Sequence, residues 1–196
     1  VCISPTRFFI EESIHDQFLK AFKKHVEAVN IGNGLEAGVS MGPLVADRRL
    51  DIMEGFVSNA VSEGGKLLVG GERVQSSGSF YQPTLLANVP DSAQIMTEEP
   101  FGPIAPTATF ASLDEVIDRA NSLPFGLAAY AFTGSPKTAG VLKTEIESGM
   151  LAINSLHIHS VETPFGGLKN SGYGYEGGIE GLEAFLATKY SSEVYT

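Results

Sequence analysis

The chain has one cysteine in 196 residues, Cys2. One thiol closes no internal disulfide and builds no thiolate metal site by itself, which points to a reducing, cytoplasmic setting. Basic residues are also scarce: 13 Lys and Arg stand against 23 Asp and Glu, for a formal charge of −10. That balance argues against long-range attraction to phosphate backbones or anionic membranes, so neither nucleic acid nor a lipid surface is an expected partner. No apolar run approaches the roughly 18 residues that a bilayer crossing requires. The start, Val1-Cys2-Ile3-Ser4-Pro5, lacks the basic segment and long apolar stretch of a secretory signal. Internal repeats and low-complexity tracts are missing as well. No Gly-x-Gly-x-x-Gly opens a helix, since Gly64-Gly65 and Gly70-Gly71 do not have that placement, and this argues against a self-contained dinucleotide site.

What is present is a turn-rich globular composition, 43% hydrophobic with 22 Gly and 10 Pro, in which strand and helix patterns alternate. Residues 6–10 form an apolar strand pattern through Phe8, Phe9 and Ile10. Ile14, Phe18, Phe22, Val26 and Val29 then recur at helical spacing. A second amphipathic helix is expected over 46–63, with Leu50, Met53, Val57 and Val61 on one face and Gly64-Gly65 as its stop. Residues 66–69 form a short strand. Pro83 breaks the apolar stretch 80–89 and makes it an edge strand or ordered loop. Residues 104–110 are strand-like, and Ser112 with Glu115 forms a capping box for the helix that follows. Residues 127–133 form a strand. Ser135-Pro136 supplies an N-cap and first-turn proline for a helix through Ile146, and 150–154 returns as a strand. Repeated crossovers of this kind predict an α/β fold, a mostly parallel sheet covered by helices.

Three segments carry chemistry. Cys2 is a candidate nucleophile, although a lone cysteine also serves as a small buried hydrophobe. In Glu99-Pro100-Phe101-Gly102-Pro103, Glu99 is able to accept hydrogen bonds from a diol, and Phe101 offers a flat apolar surface. The same segment is also readable as an acidic turn closed by a structural bend. In Thr163-Pro164-Phe165-Gly166-Gly167, the glycines permit close backbone approach. His157 and His159 alternate without a third well-placed ligand, so no metal is assigned.

Together, Cys2 leading into a strand through Ser4-Pro5-Thr6-Arg7, the Glu99–Pro103 motif and the 163–172 segment resemble the C-terminal part of an NAD(P)-dependent aldehyde dehydrogenase. The resemblance covers essentially the whole chain and about the last two-fifths of a full-length family member, cut just upstream of the nucleophilic cysteine. It implies Cys2 as nucleophile, Glu99 on the nicotinamide-side ribose, Phe101 beside the nicotinamide, and Phe165 as a wall of the active site near the cysteine. Ser160-Val161-Glu162 looks like the succinate-semialdehyde dehydrogenases, with Ser160 helping to hold the substrate's distal carboxylate.

The resemblance further implies a catalytic domain over 1–182 and a C-terminal segment over 183–196 that adds a strand to a neighbouring copy, giving a homo-oligomer. The parent activity is oxidation of an aldehyde or semialdehyde to its acid, with NAD or NADP as hydride acceptor. In the family the cofactor-binding domain, the general-base glutamate and the oxyanion asparagine lie upstream of the cysteine. The isolated chain is therefore expected to be inactive and to bind no cofactor tightly. The competing reading is a non-enzymatic structural or interaction domain derived from the same fold.

Overall fold

The computed structural model describes residues 1–74 and 78–195. The chain forms two compact units, Val1–Val116 and Ile117–Thr196.

The first unit is a four-stranded sheet between helices. β1 (Phe8–Glu11), β4 (Ile104–Phe110), β3 (Thr84–Ala87) and β2 (Lys66–Val69) lie in that order; β1–β4 and β4–β3 are parallel and β3–β2 is antiparallel. The sheet is mixed: β1, β4 and β3 run parallel, and the antiparallel β2 closes the other edge. β3 shows why helices cover both faces: all four of its residues are buried, and successive side chains point to opposite sides. Leu85 and Ala87 pack with Ile10 of β1 and with Leu19 of α1 (His15–Glu27). Leu86 packs with Leu50, Met53, Phe56, Val57 and Ala60 of α2 (Arg48–Ser62). Each of these leucines contributes about 1.5–3 kcal/mol by burial.

Two expectations need correction here. Within the 80–89 stretch only Thr84–Ala87 forms a strand, and it is not an edge: β3 lies between β4 and β2. Pro83 stops one residue short of the strand, and the first ladder donor, the Thr84 N–H, reaches the Pro103 carbonyl at 2.8 Å. The expected face of α1 is also only partly the buried one: Phe22 and Val26 pack against the core beside Leu19. His15 and Leu19 are buried, whereas Ile14 and Phe18 are exposed and Phe18 meets Phe22 edge-on at 5.6 Å. The first turn of the helix departs from the apolar spacing, while its later turns keep it.

The ends of α2 follow local chemistry. Ser79 donates from Oγ to Asp47 Oδ1 at 2.5 Å just before the helix, and the Gly65 N–H returns to the Ala60 carbonyl at 2.8 Å after it. A Cβ at Gly65 would lie 2.7 Å from that carbonyl oxygen, so this helix stop needs glycine. Arg73 makes a bidentate pair with Glu54 (2.6 and 2.7 Å) and also reaches Asp51, tying the 70–74 loop to the outer face of α2. That pairing holds the Glu54 carboxyl below its usual range.

α3 (Gln94–Thr97) precedes β4, and α4 (Leu113–Asn121) follows it. Ser112 Oγ accepts the Glu115 N–H at 3.2 Å, while the Glu115 carboxylate reaches the Ala111 N–H at 2.9 Å, a capping box shifted by one donor.

The second unit holds two small sheets. β6 (Ala128–Ala131) and β7 (Met150–Ile153) pair in parallel across α5 (Pro136–Glu145), whose N-cap Ser135 accepts the Thr138 N–H. β5 (Phe125–Gly126) pairs antiparallel with β8 (Leu168–Lys169). α6 (Glu180–Glu183) ends the regular structure. Residues 184–195 form no strand in the single chain, and Phe185, Leu186, Tyr190, Val194 and Tyr195 are exposed. Among the described residues, no helix is long and apolar enough to cross a membrane, and no group of three or more His, Cys, Asp or Glu side chains could hold a metal ion.

Candidate functional site

Because β1 and β4 are parallel neighbours, with Phe8 opposite Thr107, the segments that lead into them lie at the same end of the sheet. One lead-in carries Cys2 and the other carries Glu99 and Phe101. Cys2 is a free, exposed thiol in a turn closed by the Ser4 N–H and the Val1 carbonyl at 3.1 Å. It is therefore not the small buried hydrophobe of the bland reading, and its sulfur is open to an electrophile.

The Glu99–Phe101 turn is held from one side by α2. Arg49 donates from Nη2 to the Pro100 carbonyl and, at 3.4 Å, to that of Phe101. One helical turn later, Met53 packs so closely on Gly102 that a Cβ there would lie 2.1 Å from the sulfur. Further along, Asn59 Oδ1 accepts the Gln94 N–H at 2.7 Å and fixes the start of the segment. Phe101 is left with a φ of 41°, rare for a bulky residue, and the residue is 54% exposed.

Two open concavities flank this turn. One of about 470 Å³ is lined by Pro43, Leu44, Val45, Arg49 and Phe101, and one of about 330 Å³ includes Arg49, Phe56, Gln94, Glu98 and Glu99. The first has an apolar wall and an aromatic face. Beside the second, the Glu99 carboxylate is exposed and takes no hydrogen bond from the described residues. An acceptor-only carboxylate next to an exposed ring fits a ribose diol carrying a nicotinamide.

In the second unit, Phe165 is half-buried. It exchanges backbone hydrogen bonds with Glu176 (2.7 and 2.8 Å) and meets His159 edge-on at 5.7 Å. The glycines around it are required by close approach: a Cβ at Gly149 would lie 2.0 Å from the Gly166 carbonyl oxygen, and one at Gly166 would lie 2.4 Å from the Tyr175 ring. Ser160 is exposed. Its N–H donates to Thr163 Oγ1 at 2.8 Å, and its hydroxyl hydrogen-bonds the Glu162 carboxylate, holding that carboxyl below its usual range. The Ser160 donor thus faces an anion of its own chain.

Sequence reasoning named all five of these side chains but not Arg49, which holds the Glu99–Phe101 turn, nor the partners of Asn154 and Lys169 elsewhere in the second unit. Arg49 acts on backbone carbonyls. Asn154, in a left-handed conformation at the end of β7, spans Thr133 with both side-chain atoms (2.8 and 2.9 Å). Lys169 spends its ammonium on the carbonyls of Asn121 (2.8 Å) and Leu123 (3.1 Å) and on Glu147 (2.5 Å).

The model of the aldehyde dehydrogenase family matches residues 1–191. The chain belongs to this family. Among its relatives, the 4-(hydroxymethyl)benzenesulfonate dehydrogenase of Comamonas testosteroni is 43% identical over 96% of the chain and 39% of the relative. The mitochondrial succinate-semialdehyde dehydrogenase of Homo sapiens is 38% identical over 96% of the chain and 36% of the relative. A crystal structure of an aldehyde dehydrogenase from Brucella melitensis biovar abortus 2308 superposes with a TM-score of 0.97 at 35% identity, over 100% of this chain and 40% of that one. The α/β aldehyde dehydrogenase fold is thus established, and the chain spans about two-fifths the length of the relatives it matches.

Proposed function

We propose that this chain supplies the nucleophile and the nicotinamide-facing edge of an enzyme that oxidises an aldehyde to its acid with NAD or NADP. The observation that carries the reading is the exposed Cys2 thiol at the amino end of β1, beside the parallel strand β4 whose own amino end presents Glu99 and Phe101. The Cys2 thiolate adds to the carbonyl carbon, and the resulting thiohemiacetal loses hydride from that carbon to become a thioester on Cys2. Water then cleaves the thioester, releasing the acid and the thiolate. The nicotinamide, when bound, supplies the hydride acceptor. Glu99 accepts from the ribose hydroxyls, and Phe101 covers the ring side.

The substrate class we infer is an aldehyde with a remote anionic group, of which succinate semialdehyde is the simplest candidate. Two relatives are named for substrates with such a group, 4-(hydroxymethyl)benzenesulfonate and succinate semialdehyde. Ser160 and Phe165 are the proposed substrate-side residues. For Ser160 to hold a distal carboxylate, its hydroxyl must leave Glu162. Residues 1–182 form the proposed catalytic domain, and 183–196 the segment that pairs with a second copy. The exposed Phe185, Leu186 and Tyr190 support the latter assignment.

The test is a comparison of succinate semialdehyde with butyraldehyde in the enzyme carrying this chain, read as NADH or NADPH formation. Preference for the charged substrate, weakened by Ser160→Ala for that substrate alone, supports the reading. Equal use of both aldehydes removes the anionic class, and no reduced cofactor with either removes the activity.

A further inference from the structure

Phe101 keeps a conformation that its own side chain disfavours, and α2 supplies what opposes relaxation. Two successive carbonyls, those of Pro100 and Phe101, converge on the same guanidinium nitrogen of Arg49. If Phe101 left its positive φ, the peptide planes on either side would turn and the two carbonyls would cease to share a donor. Charge-assisted hydrogen bonds of this kind are stronger than neutral ones, and the planar guanidinium fixes direction as well as distance. Arg49 is half-buried, and Pro100 is fully buried. The Arg49 side chain also lines both concavities, with Phe101 in one and Glu99 in the other.

We propose that Arg49 is a positioning residue for the cofactor-facing turn, holding Phe101 left-handed by gripping the carbonyls of Pro100 and Phe101. It thereby sets how the Phe101 ring and the Glu99 carboxylate are presented together. The part of this role that concerns the cofactor rests on the aldehyde-oxidising function proposed above; the grip on the turn does not. Met53 on Gly102 supplies a second, steric hold one turn away on the same helix. The two holds differ chemically, so removing Arg49 loosens the turn without emptying the core beneath it.

The experiment compares Arg49→Met, Arg49→Lys and Arg73→Met, the last removing a cation that binds the opposite, outer edge of α2. The first readout is limited chymotrypsin digestion of the full 196-residue chain, with mass spectrometry following the cut between Phe101 and Gly102 separately from cuts after Phe56 and Tyr81 in the core. Arg49→Met is expected to speed the Phe101 cut at least about tenfold, with Arg49→Lys between it and the unaltered chain, because one ammonium replaces only part of the fork. Core cuts are expected to stay unchanged, and Arg73→Met is expected to leave the Phe101 cut alone. The second readout is the KM for NAD and NADP in the enzyme carrying this chain, expected to rise about tenfold in Arg49→Met with little change in the KM for aldehyde. An unchanged Phe101 cut overturns the proposal, as does a faster cut with an unchanged cofactor KM in an active enzyme. If the unaltered enzyme proves inactive, the proposed function fails, and the digestion alone decides whether Arg49 holds the turn.

Discussion

Adding one methyl group at Gly102 tests the steric half of the hold on the cofactor-facing turn. A Cβ built there lies 2.1 Å from Met53 Sδ, 3.0 Å from its Cε and 3.4 Å from its Cγ. Ordinary contact between such atoms is about 3.5–4.0 Å, so the gap must open by roughly 1.5 Å. Met53 has no exposed surface and packs in the cluster with Leu50, Phe56, Val57 and Tyr81, so its flexible end has no free volume to enter. Gly102 does not occupy the left-handed region, so the whole cost is steric. Overpacking of this size costs about 1–3 kcal/mol. For a chain of this length that corresponds to a fall in Tm of about 2–12 °C, read by far-ultraviolet circular dichroism. Met53→Ala alone should cost about 2–5 kcal/mol by leaving a cavity. Combined, the two changes should cost less than their sum by about 0.5–3 kcal/mol, because the new methyl occupies the space that Met53 vacates. A Gly102→Ala variant as stable as the parent, or a strictly additive double variant, would refute the packing argument.

Other expectations follow from groups away from this turn. Tyr81 is 1% exposed, and its hydroxyl finds no partner among the described residues; burial, reinforced by the nearby Glu54 charge, pushes its pKa up to about 12. Its folded value exceeds the unfolded value of about 10, so the associated stability is complete below pH ~10 and is lost as pH rises toward 12. Tyr81→Phe should abolish that alkaline loss and be neutral or stabilising by up to about 1 kcal/mol at neutral pH, because it removes an unpaired buried hydroxyl. Denaturant titrations of both forms at neutral and alkaline pH check this. Lys169→Met deprives two carbonyls and the Glu147 carboxylate of their shared donor. It should cost about 1–3 kcal/mol, measured as a fall in the denaturation midpoint.

The elements that could be read from sequence were those whose signals are local. Ser135-Pro136 starts α5 where the N-cap chemistry places it, and Gly64-Gly65 stops α2. The central position of β3 was not local information, because it depends on β4 arriving from 20 residues downstream, with Thr84 paired to Ile104. The face of α1 was legible at Phe22 and Val26, which pack on the core, but not at its start, where His15 and Leu19 are buried in place of Ile14 and Phe18. The site divides in the same way. Cys2, Glu99 and Phe101 were visible as side chains with chemistry of their own. Arg49 was not, since its partners are carbonyls of Pro100 and Phe101, and backbone acceptors leave no mark on composition or spacing. The strand expected near the end of the chain does not form among residues 184–195, because strand pairing depends on a neighbouring edge that no local signal supplies.

The most direct test of the central claim is a rapid acid quench of the enzyme carrying this chain, mixed with succinate semialdehyde and NAD or NADP, followed by peptide mass spectrometry. Cys2 is the chain's only cysteine, so an acyl group on it has one possible address. We expect a succinyl thioester on the Cys2 peptide that forms with the first equivalent of reduced cofactor and decays as acid appears, and neither adduct nor turnover in Cys2→Ala. Reduced cofactor formed at the normal rate by Cys2→Ala, or an acyl group carried on any other residue, would contradict it.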